Sequence, residues 1–145
     1  MRSKQGNWFE TKVKFDKTQE DGTQKKVTES YVVEAPSWGD AEKKISKEMA
    51  HYVSGEMEIK SISPAPYKEI FFSDNSEDDR WYKAKLAFIT IDDKTEKEKR
   101  TNITYLVQGK SVQGACKNVD ETMRDSAIDY TSLAVSETKI MDVYE

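Results

Sequence analysis

At 145 residues, with 36% hydrophobic and 34% charged side chains, three prolines and six glycines, the chain has the composition of an ordinary folded protein. A net charge of −4 argues against sequence-blind attraction to phosphate backbones, and apolar runs as short as Ile70-Phe71-Phe72 exclude a membrane-spanning helix. The single Cys116 allows no internal disulfide, and Met1-Arg2-Ser3-Lys4-Gln5-Gly6 lacks the apolar run of a secretory signal, so the expected location is the cytoplasm, the chain's own or a host's.

Residues 8 to 15 alternate, with Phe9, Thr11, Val13 and Phe15 on one face and Trp8, Glu10, Lys12 and Lys14 on the other, the period of a half-buried strand. Asp16 to Lys26, with Asp21-Gly22, supplies a polar hairpin connection to a second strand at about 26 to 35, where Val27, Tyr31 and Val33 turn inward. Pro36 stops that ladder. Ser37, with Asp40 three positions on, caps a helix whose stripe is Trp38, Ala41, Ile45, Met49, Tyr52 and Val53, ending by Gly55. Trp38 reads as a lid on the core. Met57 to Ser63 is a further strand, and Tyr67 to Phe72 a short last one after Pro64-Ala65-Pro66. The run Asp74-Asn75-Ser76-Glu77-Asp78-Asp79 reads as a solvated acidic linker.

Beyond the linker the pattern returns. Trp81-Tyr82-Lys83-Ala84-Lys85-Leu86-Ala87-Phe88 repeats residues 8 to 15 at an offset of 73, and Tyr105-Leu106-Val107 answers Tyr31-Val32-Val33 at 74. Ser111, Ala115, Val119 and Met123 likewise answer Ser37, Ala41, Ile45 and Met49. Asp92 to Arg100 reads as a solvated charged turn, and the sequon Asn102-Ile103-Thr104 as strand residues. Ser111 caps a helix with the stripe Val112, Ala115, Val119, Met123 and Ala127, and Leu133 to Val135 and Ile140 to Tyr144 close the chain as strands. The expected fold is α+β, two tandem ββαβ(β) repeats with antiparallel sheet and one amphipathic helix each, related by a pseudo-twofold axis. The expected boundaries are 7–73 for the first repeat, 74–80 for the linker and 81–145 for the second, together one compact unit.

Few residues suggest chemistry. His51 falls away from the apolar stripe of its helix, and Cys116 has no histidine in its own repeat to activate it. Zinc-type ligand spacing, a phosphate loop and a nucleophile elbow are all missing, so no enzyme, cofactor or metal is expected. One constellation stands out. Trp8 and Lys12 share a strand face, as do Trp81 and Lys85, with Lys14, Lys83, Arg80 and Arg100 adding charge. Indole stacks on planar rings while lysine and arginine neutralise phosphate, so this face suits a nucleotide or a short single strand. The competing reading is that both tryptophans begin their strands and cover a sheet edge or the repeat interface.

The segments Asn7-Trp8-Phe9-Glu10-Thr11-Lys12-Val13 and Lys26-Val27-Thr28-Glu29-Ser30-Tyr31-Val32-Val33, with the helix around Ala41-Glu42, resemble an uncharacterised domain-of-unknown-function family of Bacteroidota and their phages. The likeness runs from about residue 7 to residue 144 and brings no catalytic residues with it. It implies a small intracellular protein encoded by a phage and acting in the bacterial host cell. In that setting the expected function is non-enzymatic: a self-associating binder that sequesters an anionic nucleotide-type signal of host defence. The alternatives are an accessory single-stranded nucleic-acid binder of phage replication, which acidity counts against, and a protein-interaction adaptor.

Overall fold

The computed structural model describes all 145 residues, Met1–Glu145. In chain order the elements are β1 (Arg2–Gln5), β2 (Trp8–Thr18), β3 (Gln24–Glu34), α1 (Trp38–Met49), β4 (Met57–Pro64) and β5 (Glu69–Phe72). There follow β6 (Arg80–Ile91), β7 (Glu98–Gly109), α2 (Val112–Met123), β8 (Asp129–Glu137) and β9 (Ile140–Tyr144). The fold is α+β, and neither helix is long and apolar enough to cross a membrane. Two compact units result. The β2 unit comprises Asn7–Ala65 and Lys139–Glu145, and the β6 unit comprises Met1–Gly6 and Pro66–Thr138.

In the β2 unit the sheet order is β4-β2-β3-β9. β2 and β3 form an unbroken antiparallel hairpin from Trp8↔Glu34 to Thr18↔Gln24, turned near Gly22, whose φ of 86° is the left-handed conformation glycine adopts without steric cost. Ser37 caps α1 as its spacing predicts: its hydroxyl accepts the Asp40 N–H at 3.2 Å and donates to the Asp40 carboxylate at 2.7 Å. Ala41, Ile45 and Met49 then lie on Phe9, Val13, Phe15, Tyr31 and Val33. Thr11 sits within this layer, and its hydroxyl is satisfied by the Tyr31 carbonyl at 2.9 Å. Trp38 departs from the expected lid. It is 52% exposed, tethered at the rim by an indole N–H to the Ile62 carbonyl at 3.2 Å. Tyr52 lies past the end of α1 and is exposed, because the helix stops at Met49.

The β6 unit runs through the same order of hairpin, helix and strand, in a five-stranded sheet β1-β5-β7-β6-β8. Ser111 caps α2 by accepting the Gly114 N–H at 2.9 Å, and Ala115 and Val119 pack on Tyr82, Ala84, Leu86, Tyr105 and Val107. The helix approaches this sheet closely because Gly109 has no side chain; a Cβ there would lie 3.1 Å from the Ala115 nitrogen. α2 ends at Met123, so Ala127 falls outside the helix and is exposed.

Three sequence expectations need correction. The units do not divide at residues 73 and 74, because each takes its last strand from the other half of the chain: β5 joins β7 in parallel, Glu69↔Tyr105 to Phe71↔Val107, and β9 joins β3 in parallel, Tyr31↔Asp142 to Val33↔Tyr144. The linker is not simply solvated. Asp78 is buried, accepting hydrogen bonds from the Ser73 hydroxyl and, at 3.3 Å, from the Asn118 amide. Finally, the charged turn is shorter than expected, since Glu98-Lys99-Arg100 already belong to β7 and Arg100 pairs with Ile89.

Burial of phenols makes the fold sensitive to base. Tyr105, Tyr130 and Tyr144 are pushed up to about 12, in each case chiefly by burial, and Tyr31 is raised further by burial and by Glu29, whose carboxylate accepts its hydroxyl at 2.6 Å. The folded protein thus holds these protons more tightly than the unfolded chain, whose tyrosines titrate near 10. Their contribution is fully present below pH 10 and is lost as pH rises through about 12.

Candidate anion-binding faces

Alternation along β2 and β6 places Trp8, Lys12 and Lys14 on one face of the β2 unit's sheet, and Trp81, Lys83 and Lys85 on the corresponding face of the β6 unit's sheet. The tryptophans and the cations have different fates there. Trp8 is 2% exposed and Trp81 3% exposed, so neither ring offers a stacking surface to solvent. Trp81 meets Phe72 edge-on at 5.6 Å between centroids, and the Arg2 guanidinium lies 4.2 Å from the Phe72 ring centre. The Trp8 indole N–H is buried without a hydrogen-bond partner.

The two arginines are already engaged. Arg80 reaches Glu137 at 3.4 Å and Asp79 at 3.9 Å, and its pKa is raised by Tyr82 first and then by Glu137. Arg100 lies 3.6 Å from Glu98. By contrast, Lys12, Lys14, Lys83 and Lys85 form no ion pair. Lys12 and Lys85 are exposed, and Lys14 and Lys83 half-buried.

The register shows what surrounds these ammonium groups. Lys12 stands between Ser30 of β3 and Ser61 of β4, with Lys14 beside Thr28 and Glu58. Lys85 stands between Thr104 of β7 and Ala134 of β8, with Lys83 beside Leu106 and Ser136. In each unit two lysines on alternate positions of one strand are therefore about 7 Å apart; Lys12 has hydroxyls on both sides and Lys85 on one, whereas Lys14 stands across from the Glu58 carboxylate. Strand alternation and the internal repeat single out the lysines; the hydroxyl neighbours depend on cross-strand register, which a single sequence leaves open. Lys12 and Lys85 occupy equivalent places, whereas Lys14 answers Ala87 and Lys83 answers Glu10, so the two faces are alike only at their centre.

The sequence model of one family, described as "Domain of unknown function (DUF4494)", matches residues 7–145, and the chain belongs to that family. No curated protein and no solved structure matches it.

Proposed function

We propose that this DUF4494 member is a non-enzymatic binding protein that holds a small phosphate-bearing anion, a nucleotide-type signal of host defence sequestered on behalf of a phage in the bacterial cytoplasm. The observation that carries this reading is the placement of Lys12 and Lys85 at equivalent, exposed strand positions, without an ion pair and with Ser30, Ser61 and Thr104 as cross-strand neighbours. Lysines beside hydroxyls, with no carboxylate within ion-pair distance, are available to an anionic ligand. Burial of Trp8 and Trp81 takes ring stacking away from the nucleotide and the single-strand readings alike, and the chain's acidity counts further against a strand, which needs many cationic contacts.

The test is native mass spectrometry of the protein from cells with active nucleotide signalling, followed by titration with ATP and a cyclic dinucleotide. The expected result is a nucleotide at fixed stoichiometry and an affinity reduced about tenfold or more in a Lys12→Glu, Lys85→Glu double variant, since each charge-assisted contact contributes roughly 1.5–3 kcal/mol. Both positions are exposed, so the melting temperature should hardly move. Failure to take up any nucleotide, with retention of a labelled single-stranded oligonucleotide that weakens steeply with salt, would overturn the proposal in favour of strand binding.

A further inference from the structure

On the helix side of the β6 unit, a cleft of about 260 Å³ opens where β1 and β5 run beneath the C-terminal end of α2. Its wall is aromatic: Phe71 and Tyr105 are stacked with centroids 4.8 Å apart, and Phe88 lies 6.4 Å from Tyr105. Met123 and Ile128 line it from the helix end. Tyr105 is only 4% exposed, yet its hydroxyl makes no hydrogen bond within the protein. The Trp8 indole nitrogen is the one side-chain polar atom both buried and unpartnered, so the Tyr105 oxygen still meets solvent at the cleft, where its proton is available to a ligand.

In the β2 unit the equivalent tyrosine has an internal acceptor. Tyr31 answers Tyr105, and its hydroxyl donates to Glu29 at 2.6 Å beneath a fully buried Met49. In the β6 unit the residue answering Glu29 is Ile103, which cannot accept, and the residue answering Met49 is Met123, which is only half-buried. The strand β1, which the four-stranded sheet lacks, adds Ser3 and Gln5 along the mouth. One tyrosine has a carboxylate acceptor within its own unit; the other has none.

We propose that this cleft binds a neutral planar heteroaromatic ring, of one or two fused rings, whose edge nitrogen or carbonyl accepts the Tyr105 hydroxyl while its faces lie against the part-exposed Phe88, Met123 and Ile128. The size fits, because an apolar cavity of about 150 Å³ already takes benzene. The phenol is a donor at neutral pH, since burial and the nearby Glu69 push it up to about 12. Neutrality follows from the mouth, where Lys68 and Glu69 oppose one another and Gln5 donates to the Glu69 carboxylate at 2.7 Å. Tyr105 pairs with Ala84, between Lys83 and Lys85, and so projects from the face opposite to those lysines. The site is separate from the anion-binding faces and stands whether or not they bind a nucleotide.

The test uses the full chain, isotope-labelled, titrated with quinoline and with naphthalene, two probes of nearly equal shape of which only quinoline carries an acceptor nitrogen. Quinoline should shift the amides of Phe71, Tyr105 and Met123 and bind about tenfold more tightly than naphthalene, a difference of about 1.4 kcal/mol. Tyr105→Phe should fold as well as the parent, because no internal hydrogen bond is lost, and should bind both probes equally. The proposal is overturned if neither probe shifts those amides, if the parent binds both alike, or if the preference for quinoline survives in Tyr105→Phe.

Discussion

Replacing Trp81 by alanine will destabilise the protein by about 3–5 kcal/mol, and Trp8→Ala will cost a similar amount, the range expected when a large buried aromatic is removed and its cavity only partly collapses. Both rings are almost wholly buried, and Trp81 also loses its edge contact with Phe72. For a chain of this length the melting temperature should fall by roughly 10 °C. Trp8→Phe separates packing from polarity. It keeps most of the ring volume and removes an indole N–H that has no partner, so its cost should stay below about 1.5 kcal/mol. Thermal melts of the three variants decide the matter. Had the tryptophans formed a ligand platform, both alanine variants would melt with the parent and fail only in binding. An unchanged melting temperature would therefore contradict a packing role for the two rings.

That expectation reverses the more inviting reading of the sequence. Alternation along residues 8 to 15 correctly separates the two strand faces, and the Ser37 and Ser111 caps correctly start the helices. Alternation does not say that the second face is wet. A signal of the contrary lies in Tyr31-Val32-Val33 and Tyr105-Leu106-Val107, where consecutive apolar residues occupy both faces, the pattern of a strand buried on both sides. All six are buried. Reading those runs together with Trp8 and Trp81 would have assigned the tryptophans to packing and left the lysines further along the strands as the exposed part of the face. The open cleft at Tyr105 is less legible, because it depends on Ile103 replacing an acceptor that only the register with Tyr31 and Glu29 reveals.

Strand exchange is illegible for a different reason, and it leads to the second large effect. Residues 140 to 144 read clearly as a strand, but a parallel partner is reached by a long connection, so local sequence cannot name it. The structure pairs β9 with β3, burying Ile140 and Val143 and stacking Tyr144 on Tyr31 at 5.7 Å between centroids. Deleting Lys139–Glu145 removes those three side chains from the β2 unit, at about 1.5–3 kcal/mol for each one fully buried, and uncovers the backbone edge of β3. The summed loss approaches the roughly 5–15 kcal/mol that holds a typical domain folded. Hydrogen-exchange protection at Tyr31, Val32 and Val33 should collapse in the truncated chain. A synthetic peptide of residues 139–145 added in excess should restore it in a concentration-dependent way, because the vacated edge binds the strand only when folded. If β9 instead paired within its own half of the chain, as the repeat boundaries at 73 and 74 suggested, the deletion would leave those three amides protected and the peptide would have no effect on them.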